Sequence, residues 1–292
     1  MTFLCLGVHR VDRLHVREVL VAEVLQVRSA LVPGRNDWDA VVLLQLGGPS
    51  TLDEIEPFLT ELLSDPRVIQ LPAIARPFQH LLGSAIARGR VHEVRPRYER
   101  IGGGDGLASP ILRHTTAQAE GLRARLGIPV HVAMRCSNPR AEAAVRTLKQ
   151  EGARRVLVLP LYPHWSGSTT GSALEDFAAA CRRARYDADI HHVAAWGHRP
   201  EYIGAQASAC LAATPAPDET HLVLSPHSLP KRCLEAGDPY RTDVELSFDL
   251  LRRHLGDAFA SVSLGYQSGP TAIQAAAGAA RLEAATNTAG PR

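Results

Sequence analysis

The sequence predicts an α/β protein built on parallel sheets with helices on both faces. Three observations point there. Short, continuous apolar runs rich in β-branched residues alternate with longer segments whose apolar residues recur near the 3.6-residue period. Runs that are apolar throughout, rather than at every second residue, belong to strands buried on both faces. The loops after these runs are rich in Gly, Pro and Ser, as tight strand-to-helix turns require.

The expected strands are Ala40–Leu46, Val130–Met134, Arg155–Leu161, Ile190–Ala194, His221–Leu224 and Val262–Tyr266. The expected helices are Thr51–Ser64, Arg76–Arg88, Ile111–Leu126, Ala141–Glu151, Ala173–Ala184, Tyr202–Ala213 and Arg241–Leu255. The first 37 residues stand apart: they are rich in Val and Arg and end in a turn-like Pro33-Gly34-Arg35-Asn36-Asp37. They read as an N-terminal extension, with three alternatives open: a helix over 14–28, a floppy segment, or a start codon placed too far upstream.

Composition narrows the function classes. With 292 residues, 45% hydrophobic and 21% charged, the chain can bury a core without staples and is not collagen-like, coiled-coil or disordered. A net charge of +2, with the signs well mixed, excludes a dedicated nucleic-acid binder, which would carry a basic stripe. The cysteines, Cys5, Cys136, Cys181, Cys210 and Cys233, are scattered and odd in number with no CxxC pair, which argues against a disulfide framework or a structural zinc and for a reducing, cytoplasmic compartment. No apolar stretch reaches membrane-spanning length, and the N-terminus lacks the pattern of a signal peptide.

The loops after the strands carry the chemistry. In open α/β sheets, ligands bind at the carboxyl ends of the strands. Leu46-Gly47-Gly48-Pro49-Ser50 lacks both GxGxxG spacing and a GK[ST] ending, and Pro49 has no N–H to offer a phosphate, so it is not a nucleotide loop. Of the 13 histidines, His114, His131 and His254 sit at ordinary positions in helices or strands; His191 and His192 alternate across a strand and cannot chelate one metal together. His227 differs. It lies between two prolines in Ser225-Pro226-His227-Ser228-Leu229-Pro230, directly after a strand, where an imidazole could take a proton or bind a divalent metal, or merely bond its own loop. The hydroxyl-rich Ser166–Ser172 run precedes a helix and suits either a carboxylate ligand or a plain helix cap.

Taken together these motifs resemble the ferrochelatase family, which inserts ferrous iron into a porphyrin in haem synthesis. The likeness runs from about Val41 to about Gly269 through seven ordered segments: 43–72, RYERIGGG (97–104), SPILRHT (109–115), VAMRCSNP (132–139), LPLYPHWSGSTTGS (159–172), LSPHSLPKRCLEAGDPY (224–240) and YQSGP (266–270). The resemblance implies two Rossmann-like domains, each a four-stranded parallel sheet flanked by helices, here 38–162 and 163–270. It implies that His227 binds the incoming iron or takes up a pyrrole proton, and that Leu46, Arg97, Tyr98, Ser109, Trp165, Thr169 and Thr170 bind the porphyrin. Arg97 and the hydroxyl cluster would contact propionates. The apolar Leu46 favours protoporphyrin IX over coproporphyrin III. Iron is then a substrate, and no resident cofactor or iron–sulfur cluster is expected. The partners are a porphyrin and ferrous iron, with no nucleic acid, and the chain is expected to be a monomer. The stripe Leu71, Ile74, Phe78, Leu81, Leu82 and Ile86 reads either as a lip in peripheral contact with a membrane or as the buried face of a helix.

The sequence also departs from the family. Asp105–Ala108 are inserted before Ser109-Pro110 and are expected to widen or disorder a pocket wall. Cys136 stands where Tyr is common. Residues 271–292 form an Ala-rich tail unrelated to the family pattern, and the family's C-terminal Glu has no counterpart, so impaired activity and reduced stability are expected. Alternative readings are a non-catalytic porphyrin-binding protein and a sirohydrochlorin or cobalt chelatase.

Overall fold

The computed structural model describes residues 16–19, 38–69, 71–102 and 106–267. The chain forms two compact units, Met1–Leu161 with Gly167–Ala194, and Tyr162–Ser166 with Ala195–Arg292. The sequence places the boundary at 162/163. The chain does leave the first unit there, but Gly167–Ala194 returns to it, because the strand in that stretch pairs with the strand just before the boundary.

The first unit is a five-stranded parallel sheet. Its strands are β1 (Val16–Val19), β2 (Ala40–Gln45), β3 (Val130–Met134), β4 (Arg155–Pro160) and β5 (Asp189–Val193), in the order β1-β5-β4-β2-β3. Its helices are α1 (Ile55–Leu63), α2 (Gln79–Gly102), α3 (Ile111–Leu126), α4 (Ala141–Glu151) and α5 (Ser172–Ala184). Central β2 is buried on both faces, with Ala40–Leu44 each at most 2% exposed, as its unbroken apolar sequence requires. Strands β2–β5 are all among the expected strands, but the expected boundary puts β5 in the second domain, whereas it pairs with β4 in the first sheet; β1 is additional and pairs in parallel with β5. A helix over 14–28 is therefore corrected at Val16–Val19, which pairs as a strand along the edge of β5; the rest of that segment lies outside the described residues.

Helix α2 runs well past the expected Arg88, through Gly89 and Pro96. Packing explains it. Ala87, Val91, Val94 and Tyr98 recur at helical spacing and lie on the cluster of Ile55, Phe58, Leu59 and Leu63 from α1. On the outer face Glu93–Arg97 and Arg95–Glu99 pair one turn apart. Upstream, Ile74, Phe78 and Leu81 are 88%, 62% and 69% exposed, so this part of the stripe is no buried helix face.

In the second unit, β6 (His221–Leu224) and β7 (Ser261–Leu264) pair in parallel, with α6 (Pro200–Ala213), α7 (Lys231–Glu235) and α8 (Tyr240–Leu255). The expected four-stranded sheet is here two strands among the described residues. Leu222, Leu224 and Val262 pack with Ile203, Ala207, Leu251, Leu255 and Phe259. Val223 turns the other way and is 41% exposed. Among the described residues no helix is long and apolar enough to cross a membrane.

Candidate functional site

In the first unit the loops at the carboxyl ends of β2 and β3 interlock. Gly47 holds φ +86°, a backbone state that favours glycine, and any side chain there would run into Ser137. Gly48 donates its N–H to Ser137 Oγ at 3.1 Å, and a Cβ on it would lie 2.8 Å from Ser109 Oγ. These glycines thus serve close approach of two loops. Of the Asp105–Ala108 insertion, Gly106–Ala108 are described and are hydrogen-bonded to the loop after β2. Leu52 donates to Gly106 O, Ala108 to Ser50 O and Ser109 to Pro49 O, at 2.8–3.1 Å, so the stretch leading to Ser109 is stitched antiparallel onto the loop after β2. Asp105 lies outside the described residues.

Leu46, Tyr98 and Cys136 meet on one apolar cluster. The Tyr98 ring stands edge-on to Phe58 at 6.4 Å, and burial pushes its phenol pKa up. Burial likewise raises the Cys136 thiol to about 12, so it stays a neutral apolar group. Arg97 is not gathered with them; it lies exposed on α2, 3.3 Å from Glu93. Thr169 and Thr170 form part of a π-helical turn, Gly167–Gly171, that runs into α5. Thr170 is fully buried and its Oγ1 has no hydrogen-bond partner. Such turns concentrate at functional sites.

Sequence reasoning misses the group that braces this edge. Asp65, 4% exposed, accepts from Arg135 Nη2 at 2.8 Å, from the Arg67 N–H at 2.8 Å and from the Ser172 hydroxyl; Arg135 Nε also donates to Ser172 Oγ at 2.9 Å. This ties the end of α1, the loop after β3 and the start of α5 together. A lone Arg directly after an apolar strand was the available signal.

In the second unit, His227 sits on a backbone ladder rather than in a floppy turn. Gly265 donates to Leu224 O at 2.9 Å, Gln267 to Pro226 O at 3.0 Å and Ser228 to Gln267 O at 2.9 Å. The two-proline bracket is thus extended sheet structure beyond β6. His227 Nδ1 lies 2.7 Å from the Ser228 carbonyl oxygen. A carbonyl only accepts, so Nδ1 carries the proton and Nε2 keeps its lone pair. The imidazole is solvent-exposed. Among the described residues no three His, Cys, Asp or Glu side chains converge as a metal cage. Trp165 is half-buried in the short segment Tyr162–Ser166 of this unit. Its neighbour His164 contacts Ser247 Oγ at 2.8 Å, and burial, with His198 nearby, lowers the His164 pKa to about 4. Ser268, Gly269 and Pro270 of the YQSGP segment, and the 271–292 tail, lie outside the described residues.

Parallel α/β units with glycine-interlocked, hydroxyl-bearing and histidine-bearing loops at their strand ends define a ligand-binding α/β protein. A family model described as ferrochelatase matches residues 38–273. The ferrochelatase of Aquifex aeolicus is 37% identical over 231 residues, 78% of this chain and 71% of that protein. That of Synechococcus sp. (strain JA-3-3Ab) is 38% identical over 74% of this chain and 65% of that one. A rice protein named ferrochelatase-2, chloroplastic, is 37% identical over 80% of this chain, which spans 46% of its length. The chain belongs to the ferrochelatase family.

Proposed function

We propose that this chain inserts Fe²⁺ into a porphyrin in haem biosynthesis, with protoporphyrin IX favoured over coproporphyrin III. The observation that carries this is His227: an exposed imidazole held on an extended backbone ladder, its Nδ1 proton committed to the Ser228 carbonyl and its Nε2 lone pair left available. Metal insertion must remove two pyrrole protons as Fe²⁺ enters. A neutral Nε2 serves as base for a proton or as a transient ligand to the ion. Leu46 and Tyr98 offer apolar surface, while Trp165 offers an aromatic face. Ser109 and Thr169 offer hydroxyls for orientation, whereas Thr170, fully buried, offers none in this conformation, and Arg97 offers a guanidinium for a propionate. Iron is consumed as substrate; the proposal includes no resident cofactor, no iron–sulfur cluster and no nucleic acid. We place the chain in the cytoplasm as a monomer.

The test is iron insertion into protoporphyrin IX by the purified chain, followed by absorbance. The expected result is turnover that His227→Ala reduces about 10²–10⁴-fold while porphyrin binding persists. Unchanged turnover in the variant would overturn the assignment of His227. Bound porphyrin with no turnover in the parent chain would favour the non-catalytic reading, and a preference for cobalt or sirohydrochlorin the third.

Exposed Ile74, Phe78 and Leu81 favour peripheral membrane contact over packing within the chain. Co-sedimentation with phosphatidylcholine–phosphatidylglycerol vesicles, lost on changing all three to Ser, is the expected outcome. No sedimentation of the parent chain would refute it.

A further inference from the structure

Strands β6 and β7 carry one apolar and one polar face. Leu222, Leu224 and Val262 turn to the cluster formed by α6 and α8. Side chains alternate along a strand, so His221, Val223, Ser261 and Ser263 turn the other way. His221 and Ser261 are register partners, and the imidazole meets Ser261 Oγ at 2.5 Å and Ser263 Oγ at 2.8 Å. Residues paired across these two strands thus meet side by side on the polar face.

The same offset continues past the strands, where a parallel bridge pairs His227 with Gln267. Exposure follows the same alternation: Ser225, His227 and Gln267 are exposed, whereas Ser228 is 3% exposed. His227 and Gln267 therefore share the polar face, with their main chains one strand spacing apart, about 4.8 Å.

The Gln267 main chain is committed to the ladder, through its N–H to Pro226 O at 3.0 Å and its C=O from the Ser228 N–H at 2.9 Å. Any residue with a main-chain N–H could do that. The side chain adds something of its own. Its amide reaches back to Ser225 O at 3.4 Å. A carbonyl only accepts, so Nε2 faces Ser225 and Oε1 is the outer end. Among the described residues Oε1 has no partner. Two acceptors thus stand on one face, the His227 Nε2 lone pair and Gln267 Oε1.

We propose that Gln267 is a second substrate-contacting residue beside His227. Its Oε1 accepts a hydrogen bond from a pyrrole N–H of the metal-free porphyrin and holds the macrocycle with its N–H groups toward His227. The amide takes up no proton. When a pyrrole N–H bond breaks, the proton goes to His227 Nε2 and the nitrogen keeps the electron pair for Fe²⁺. The metallated product has no pyrrole N–H, so the contact favours substrate over product. This rests on a porphyrin being the substrate.

The experiment uses the full chain and two ligands, protoporphyrin IX and zinc protoporphyrin IX, which lacks pyrrole N–H groups. Affinities are measured by fluorescence titration. In Gln267→Leu the protoporphyrin affinity is expected to fall about tenfold, the worth of one hydrogen bond, with the zinc porphyrin affinity held within about twofold. Gln267→Glu, which keeps an acceptor oxygen, is expected to restore the protoporphyrin affinity. Ser263→Ala, at the far end of the same face, is expected to change neither. The ¹⁵N signature of His227 in Gln267→Leu is expected to keep the proton on Nδ1, because the main-chain ladder is retained. Equal losses for both ligands, no loss for either, or a changed His227 tautomer overturns the proposal and leaves the porphyrin function standing. A parent chain that binds neither ligand overturns the porphyrin function, and the Gln267 contact with it.

Discussion

Strands β2 and β6 each lead into a loop that bears candidate residues of its own unit, yet they are held in opposite ways. Every residue of β2 from Ala40 to Leu44 is buried, whereas β6 has no fully buried residue among the described contacts and exposes Val223 at 41%. The loop after β2 is fixed by close packing: Gly47 and Gly48 admit Ser137 and Ser109, and the Asp65–Arg135–Ser172 group braces the neighbouring loop. The loop after β6 is fixed by main-chain bonds, Pro226 to Gln267 and Ser228 to Gln267. A rigid reactive group therefore does not require a deeply buried strand beneath it. A ladder that continues past the strand does the same for His227 while leaving its ring in solvent.

The largest expected effect separates chemistry from hold. His227→Ala should lower iron insertion about 10²–10⁴-fold, roughly 3–5 kcal/mol of barrier, without changing the unfolding transition. A large shift in the unfolding midpoint measured by circular dichroism would mean that the imidazole also supports the ladder.

In the first unit the converse should hold. Asp65→Ala leaves the Arg135 guanidinium, 15% exposed, without its closest anion. Removing one member of a buried pair costs about 3–5 kcal/mol. Denaturant titration should show this loss, with activity falling only as the folded population falls. A cost below about 1 kcal/mol would mean that Glu61, 4.0 Å from Arg135, takes over the pairing.

How much of this could be read in the sequence follows the same division. Strands β2 to β7 are legible within a residue or two, because continuous apolar runs have few other uses. Helix α2 beyond Arg88 is not, since Gly89, Pro96 and a run of charge mask it; the stripe Ala87, Val91, Val94, Tyr98 was its only signal, and it needs α1 opposite to have meaning. Strand β1 depends on the free edge of β5, which no local pattern reveals. At the site, the proline bracket makes His227 conspicuous. The bond that fixes its tautomer depends on the conformation of the next residue. Arg135 and Ser172 lie 70 and 107 residues from Asp65 along the chain, and only the assembled sheet brings them together.

Acidification should weaken both units, since His192 in the first and His164 in the second are each held neutral by burial. His192 on β5 is 4% exposed, neither ring nitrogen has a hydrogen-bond partner, and burial, with His191 beside it, lowers its pKa to about 4. Its folded pKa lies below the unfolded one. The fold is therefore at full strength, for this group, above about pH 6.5. As the pH falls from there to about 4, the unfolded chain takes up a proton that the fold refuses, and stability drops by about 1.4 kcal/mol per pH unit from this residue. His192→Leu should flatten the stability–pH curve over that window. Parallel curves for the two proteins would show that His192 is protonated in the fold.

The smallest expected effect tests the comparison itself. Val158 on β4 is fully buried, and Val223 on β6 faces away from the cluster of Leu251, Leu255 and Phe259. Changing Val to Thr keeps the shape and adds one hydroxyl. In Val158→Thr the hydroxyl enters a dry core and should cost about 1–3 kcal/mol. In Val223→Thr it meets water, and the change should stay within about 0.5 kcal/mol. Thr also suits a strand as well as Val does, so propensity adds nothing to either value. The contrast is measured by denaturant titration of both variants against the parent. Equal costs at the two positions would mean that Val223 is buried in solution, and that the second sheet is covered on both faces like the first.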